Sequence, residues 1–67
     1  MSVIVQAKHR GRWIDASEVA DEDEARLIAK RDARIWPGVW FRYPDPNWGL
    51  LRVRFNEQAG LEVRCYK

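Results

Sequence analysis

The residues of this chain best equipped for chemistry are its nine arginines and eight aromatic side chains, and they are interleaved. Trp40 and Arg42 stand two positions apart, as do Arg52 and Arg54, and Glu62, Arg64 and Tyr66 keep the same interval. A guanidinium forks onto phosphate or carboxylate and stacks on aromatic rings. Two-residue spacing gathers such groups on one side of a strand, which suits the capture of an anionic surface. Parts for bond-making are scarce. The chain has one histidine, His9, one cysteine, Cys65, and no threonine. A Cys65–His9 couple would need the last strand beside the first turn, with an oxyanion site as well. Cys65 reads more simply as a small core residue at a strand end. No histidine pair or cysteine cluster suggests a metal. The carboxylates of Asp21-Glu22-Asp23-Glu24 are consecutive, so on a helix they diverge. Glycine-rich phosphate loops are missing. The expectation is a non-enzymatic protein with no cofactor and no metal.

Charge is unevenly distributed. The formal net charge is only +2, yet residues 15–24 hold Asp15, Glu18, Asp21, Glu22, Asp23 and Glu24 with no base. All 12 bases lie elsewhere, against 4 acids. Such asymmetry suggests an anionic partner, though acids that cap a helix and bases that solubilise a sheet would give the same pattern. The longest apolar runs, Val3-Ile4-Val5 and Val39-Trp40-Phe41, fall far short of the ~20 residues of a membrane span and of a signal peptide's apolar stretch. A lone cysteine suits a reducing compartment. These features lead to the expectation of a cytoplasmic protein with no membrane partner.

These side chains need a scaffold. Length allows one small domain over residues 1–67, with a thin core. Ser2–Lys8 is β-branched and reads as a strand, His9-Arg10-Gly11-Arg12 as a turn, and Arg12–Ser17 as a returning strand. Asp21 is a helix N-cap with Glu24 placed to reach back. Ala25, Ile28, Ala29, Ile35 and Trp36 form the stripe expected to face the core, and Pro37-Gly38 ends the helix. Val39–Tyr43, Leu50–Phe55 and Leu61–Tyr66 alternate as three further strands. Pro44–Gly49 and Asn56–Gly60 are the turns between them, short enough to imply an antiparallel meander. The fold class is α+β, a single antiparallel sheet (ββαβββ) with one helix on one face.

Strand phase then sorts the side chains. Val39, Phe41, Tyr43, Leu51, Val53, Phe55, Leu61, Val63 and Cys65 belong under the helix, and Trp13 and Trp36 are expected in the core. The opposite face carries Trp40, Arg42, Arg52, Arg54, Arg64 and Tyr66, the candidate partner-binding residues. Trp, Tyr and Arg are the residues enriched in binding hot spots, although Arg-over-Trp pairs can also simply stabilise a sheet. A second candidate group is the basic turn, Lys8, Arg10 and Arg12, together with Trp48, which is either a lid on the core edge or an exposed anchor.

The segment DEDEARLIAKRDARIWPGVWFRY, an acid-capped, Ala-rich helix turning into a Trp/Arg strand, resembles small phage-encoded inhibitors of bacterial host machinery. Type I-F anti-CRISPR proteins and short phage inhibitors of RNA polymerase are the two groups it looks like. The resemblance covers about a third of the chain as a pattern and transfers no functional residue. It implies a compact inhibitor, phage- or mobile-element-encoded, that docks on a host protein or nucleoprotein complex and blocks nucleic-acid binding. Direct binding of single-stranded nucleic acid, with bases on Trp40 and Tyr66, is an alternative reading. A homodimer formed through edge strands or faces is another.

Overall fold

Each end of the first hairpin is fixed by local chemistry. His9 pairs with Arg12 across a two-residue loop, and both loop residues have positive φ, 51° at Arg10 and 79° at Gly11. That is the turn whose twist matches two antiparallel strands; glycine adopts it freely, whereas Arg10 sits there under strain. The computed structural model describes residues 2–66, apart from the side chain of Tyr66. Its elements are β1 (Val3–His9), β2 (Arg12–Val19), α1 (Glu22–Ile35), β3 (Phe41–Asp45), β4 (Gly49–Asn56) and β5 (Gly60–Tyr66). They form one antiparallel sheet of order β2-β1-β3-β4-β5 with a single helix, the α+β arrangement ββαβββ.

Helix α1 starts where its capping chemistry places it. Asp21 Oδ1 accepts from the Glu24 backbone N–H at 2.9 Å, and Glu24 Oε2 accepts from the Ala20 N–H at 3.1 Å. Two otherwise orphaned donors are thereby satisfied. Ala25, Ala29 and Ala33, four residues apart, are fully buried. Their small side chains let the helix lie close on Val5, Phe41, Tyr43 and Val53, which complete the core with Val19. Tyr43 is 1% exposed. Burial foremost, and Asp45 next, raise its phenol above the usual 10.0, against an opposing pull from Arg26.

The buried stripe differs from the one read in the sequence. Ile28 is half-buried as expected, but Ile35 is 58% and Trp36 62% exposed. Six residues beyond Ala29, at 3.6 per turn, Ile35 has rotated about 120° off the stripe. Trp36 is the C-cap, outside helical geometry. The far side of the sheet also departs from expectation: Val63 is 47% exposed and Cys65 is exposed. A helix about 10 Å wide cannot span five strands of ~4.8 Å spacing. It lies over the inner strands and leaves the β5 flank open. Strand β3 begins two residues later than expected and runs through Pro44 and Asp45, paired with Leu50 and Gly49. Pro44 is tolerated because β3 pairs with β1 only at Arg42 and Phe41, so no second strand asks for its N–H.

Candidate functional site

The face away from the helix is built in transverse rows. One row crosses all five strands: Asp15, Gln6, Arg42, Arg52 and Arg64 are successive partners. Three arginines thus stand directly opposite one another on adjacent strands. Two unit charges about 5 Å apart repel by roughly 0.8 kcal/mol even in water, and like charges directly opposite destabilise a sheet. The neighbouring row contains Lys8 opposite Trp13 and Arg54 opposite Glu62. The Lys8 backbone N–H donates to the Trp40 carbonyl at 2.8 Å, which draws Trp40 alongside.

Two tryptophan rings absorb this charge. The Arg42 guanidinium lies 4.4 Å from the Trp13 ring centre and the Lys8 ammonium 5.8 Å. Trp40 receives three guanidinium groups, Arg54 at 4.5 Å, Arg64 at 5.6 Å and Arg52 at 5.7 Å. Each such contact is worth about 0.5–1 kcal/mol where solvent reaches it. Hydrogen bonds hold the array further. Arg42 Nε donates to Gln6 Oε1 at 2.6 Å, and Gln6 Nε2 donates to Asp15 Oδ1 at 2.9 Å. Asp15 therefore turns the Gln6 amide so that its oxygen faces Arg42. Arg54 Nη2 donates to Glu62 Oε2 at 2.6 Å, a direct ion pair between half-buried groups. The result is a set of guanidinium groups held in place by rings and hydrogen bonds within the chain.

Of the candidates read in the sequence, the structure brings Trp40, Arg42, Arg52, Arg54 and Arg64 together; the Tyr66 side chain lies outside the described residues. Arg54 is also ion-paired with Glu62. Lys8 joins the same face. Arg10 and Arg12 are exposed at the β1–β2 end of the sheet, whereas Trp48 sits at the opposite end, in the turn between β3 and β4. Trp48 is 59% exposed and does not act as a lid on the core edge. Its turn is tied by Asp45 Oδ1, which accepts from the Asn47 and Trp48 N–H groups. Trp13, expected in the core, is half-buried on the arginine face. Gln6 and Asp15 were not picked out by the sequence reading, although both alternate in phase with Lys8 and Trp13. Cys65 and His9 are separated by three strand spacings and four residues of register, roughly 20 Å. Cys65 Sγ instead meets the Trp48 carbonyl at 3.3 Å.

Among the described residues, no three His, Cys, Asp or Glu side chains converge as metal ligands, and no helix is long and apolar enough to cross a membrane. The acids Asp21, Glu22, Asp23 and Glu24 are all exposed at the start of α1, on the other side of the sheet from the arginine rows. Comparison with protein-family models, curated proteins and solved structures gives no significant match.

Proposed function

We propose that this is a non-enzymatic binding protein whose arginine-rich, aromatic sheet face docks on a host nucleoprotein complex and blocks nucleic-acid binding. The reading as a phage- or mobile-element-encoded inhibitor rests on the likeness of residues 21–43 to such proteins. The observation that carries the binding role is the row Arg42–Arg52–Arg64. Opposed like charges weaken a small sheet, and apolar or mixed-charge residues would serve the fold better at those positions. An anion that spans adjacent strands would relieve this repulsion, so the face gains more from binding than isolated arginines would.

The geometry favours a docking plate over a base-stacking platform. Single-strand binders offer bare aromatic faces to bases, whereas Trp40 and Trp13 are already flanked by guanidinium and ammonium groups. The cations themselves are then the contact surface, held beside the rings. The test is affinity capture from a bacterial lysate with the wild-type protein and with Arg52→Glu/Arg64→Glu. A partner retained by the wild type and lost from the doubly substituted protein, with both proteins folded, is the expected result. Equal retention of the same partner by both would overturn the proposal.

A further inference from the structure

An open sheet has two edges, and this molecule treats them differently. On β2 the register shifts between Val5 and Gln6, so Ala16 is an extra residue and the strand bulges. Bulges of this kind blunt an edge against further pairing. At the other edge, β5 pairs with β4 without a shift over all seven residues, from Asn56–Gly60 to Leu50–Tyr66. It contains no proline, and the helix leaves its flank open, with Val63 47% exposed and Cys65 exposed. The outward-facing N–H and C=O groups of such a strand are a template for another strand.

We infer that this edge receives a second copy of the chain, β5 against β5 in antiparallel register, about a two-fold axis through Val63. Three features of the strand select that register. Val63 is the middle residue of Gly60–Tyr66, so all seven residues find partners. Of the opposed pairs in this register, three or four would exchange both N–H···O bonds, giving about six to eight new bonds. Glu62 then stands opposite Arg64 of the other copy, twice over by symmetry, and Leu61 stands opposite Cys65. Sliding by one residue pair in either direction places Glu62 against Glu62 or Arg64 against Arg64, and like charges directly opposite are unfavourable. Leu61, Val63 and Cys65 share the helix side, so the exposed apolar strip of one copy meets that of its mate. The two-fold axis stands perpendicular to the sheet. It leaves both helices on one side and both arginine faces on the other, in a ten-stranded sheet. This inference does not rest on the proposed function: Glu62 and Arg64 stand at the rim of the docking face, but the dimer forms along the sheet edge and is read from mass alone, with no other partner.

The experiment is sedimentation equilibrium of the wild type, Glu62→Arg, Arg64→Glu and an equimolar mixture of the two variants, from about 5 μM to 1 mM under reducing conditions. The wild type should pass from its 7.9 kDa monomer to twice that mass as concentration rises. Each single variant turns two attractive pairs into two repulsive ones and should dimerise roughly 10- to 100-fold more weakly. In the mixture every substituted position meets an opposite charge, and the dimer should return. Mixing also guards against misfolding, since variants that had lost the strand could not recover. A wild type that stays at 7.9 kDa at 1 mM, single variants that dimerise like the wild type, or a mixture that stays monomeric while the wild type dimerises would each overturn the inference.

Discussion

Replacing Trp40 by leucine removes the surface that three guanidinium groups share. The contact with Arg54 at 4.5 Å is close, while those with Arg64 and Arg52, at 5.6 and 5.7 Å, lie near the outer limit. Counting about 0.5–1 kcal/mol for the first and half as much for each of the others gives a loss of roughly 1–2 kcal/mol. In a domain of this size that corresponds to a drop in Tm of about 4–16 °C. Salt should modulate the loss. Without the ring, the repulsion among Arg52, Arg54 and Arg64 loses one of its offsets, and the Debye length falls from about 10 Å at 0.1 M to about 3 Å at 1 M. The deficit of Trp40→Leu, measured by urea unfolding, should therefore shrink as salt is added. Trp48→Leu is the control, because Trp48 is 59% exposed in a turn. If Trp40→Leu unfolds within about 0.5 kcal/mol of the wild type, a change no larger than an ordinary surface substitution gives, the ring does not organise the arginine array.

Further expectations come from the helix face and the first turn. Ala29→Leu forces a larger side chain into the helix–sheet contact, where Ala29 is fully buried, and should cost about 1–3 kcal/mol by urea unfolding. Tyr43 has a raised pKa, so its neutral form is favoured in the folded state. Its contribution is intact below pH 10.0, where the unfolded chain also keeps the proton, and is lost as pH climbs through the higher folded-state value. Tyr43→Phe should flatten the alkaline limb of a stability–pH curve, and an unchanged limb would refute the assignment. Arg10 has φ 51°, a conformation that costs most L-residues about 1–2 kcal/mol. Asn tolerates it better, so Arg10→Asn should raise Tm by a few degrees, and a lowered Tm would count against the strain.

Much of this arrangement was legible in the residues because their signals were local. Asp21 with Glu24, and Pro37-Gly38, bracket the helix by capping and breaking chemistry alone. The alternation of Val39–Tyr43, Leu50–Phe55 and Leu61–Tyr66 set a strand phase that placed Arg42, Arg52, Arg54 and Arg64 on one face, as found. What was not legible depends on distance and reach. Val63 and Cys65 have the phase of core residues, but the helix covers only part of their strand, and no local pattern reports how far a helix reaches. Trp13 was assigned by hydrophobicity to the core, although it shares its phase with Asp15; the cation contacts that make a half-buried ring acceptable come from Arg42 and Lys8, which are remote or on the paired strand. Ile35 and Trp36 were assigned to the buried stripe because apolar residues near a helix end look periodic even when rotation carries them outward. The Asp15–Gln6–Arg42 relay arises only from the joint register of three strands.

The protein has a basic sheet face and an acidic helix start on opposite sides, so the most direct test asks which of them meets the partner. Affinity for the captured partner would be measured by calorimetry for the wild type, for Arg52→Glu/Arg64→Glu, and for Glu22→Gln/Asp23→Asn. The sheet-face substitution should weaken binding by about 100-fold or more, as expected when charge-assisted contacts are replaced by repulsion, while the helix substitution leaves it within about twofold, as for a charge outside the contact. The reverse pattern, with binding lost from the helix variant and kept by the arginine variant, would contradict the central claim.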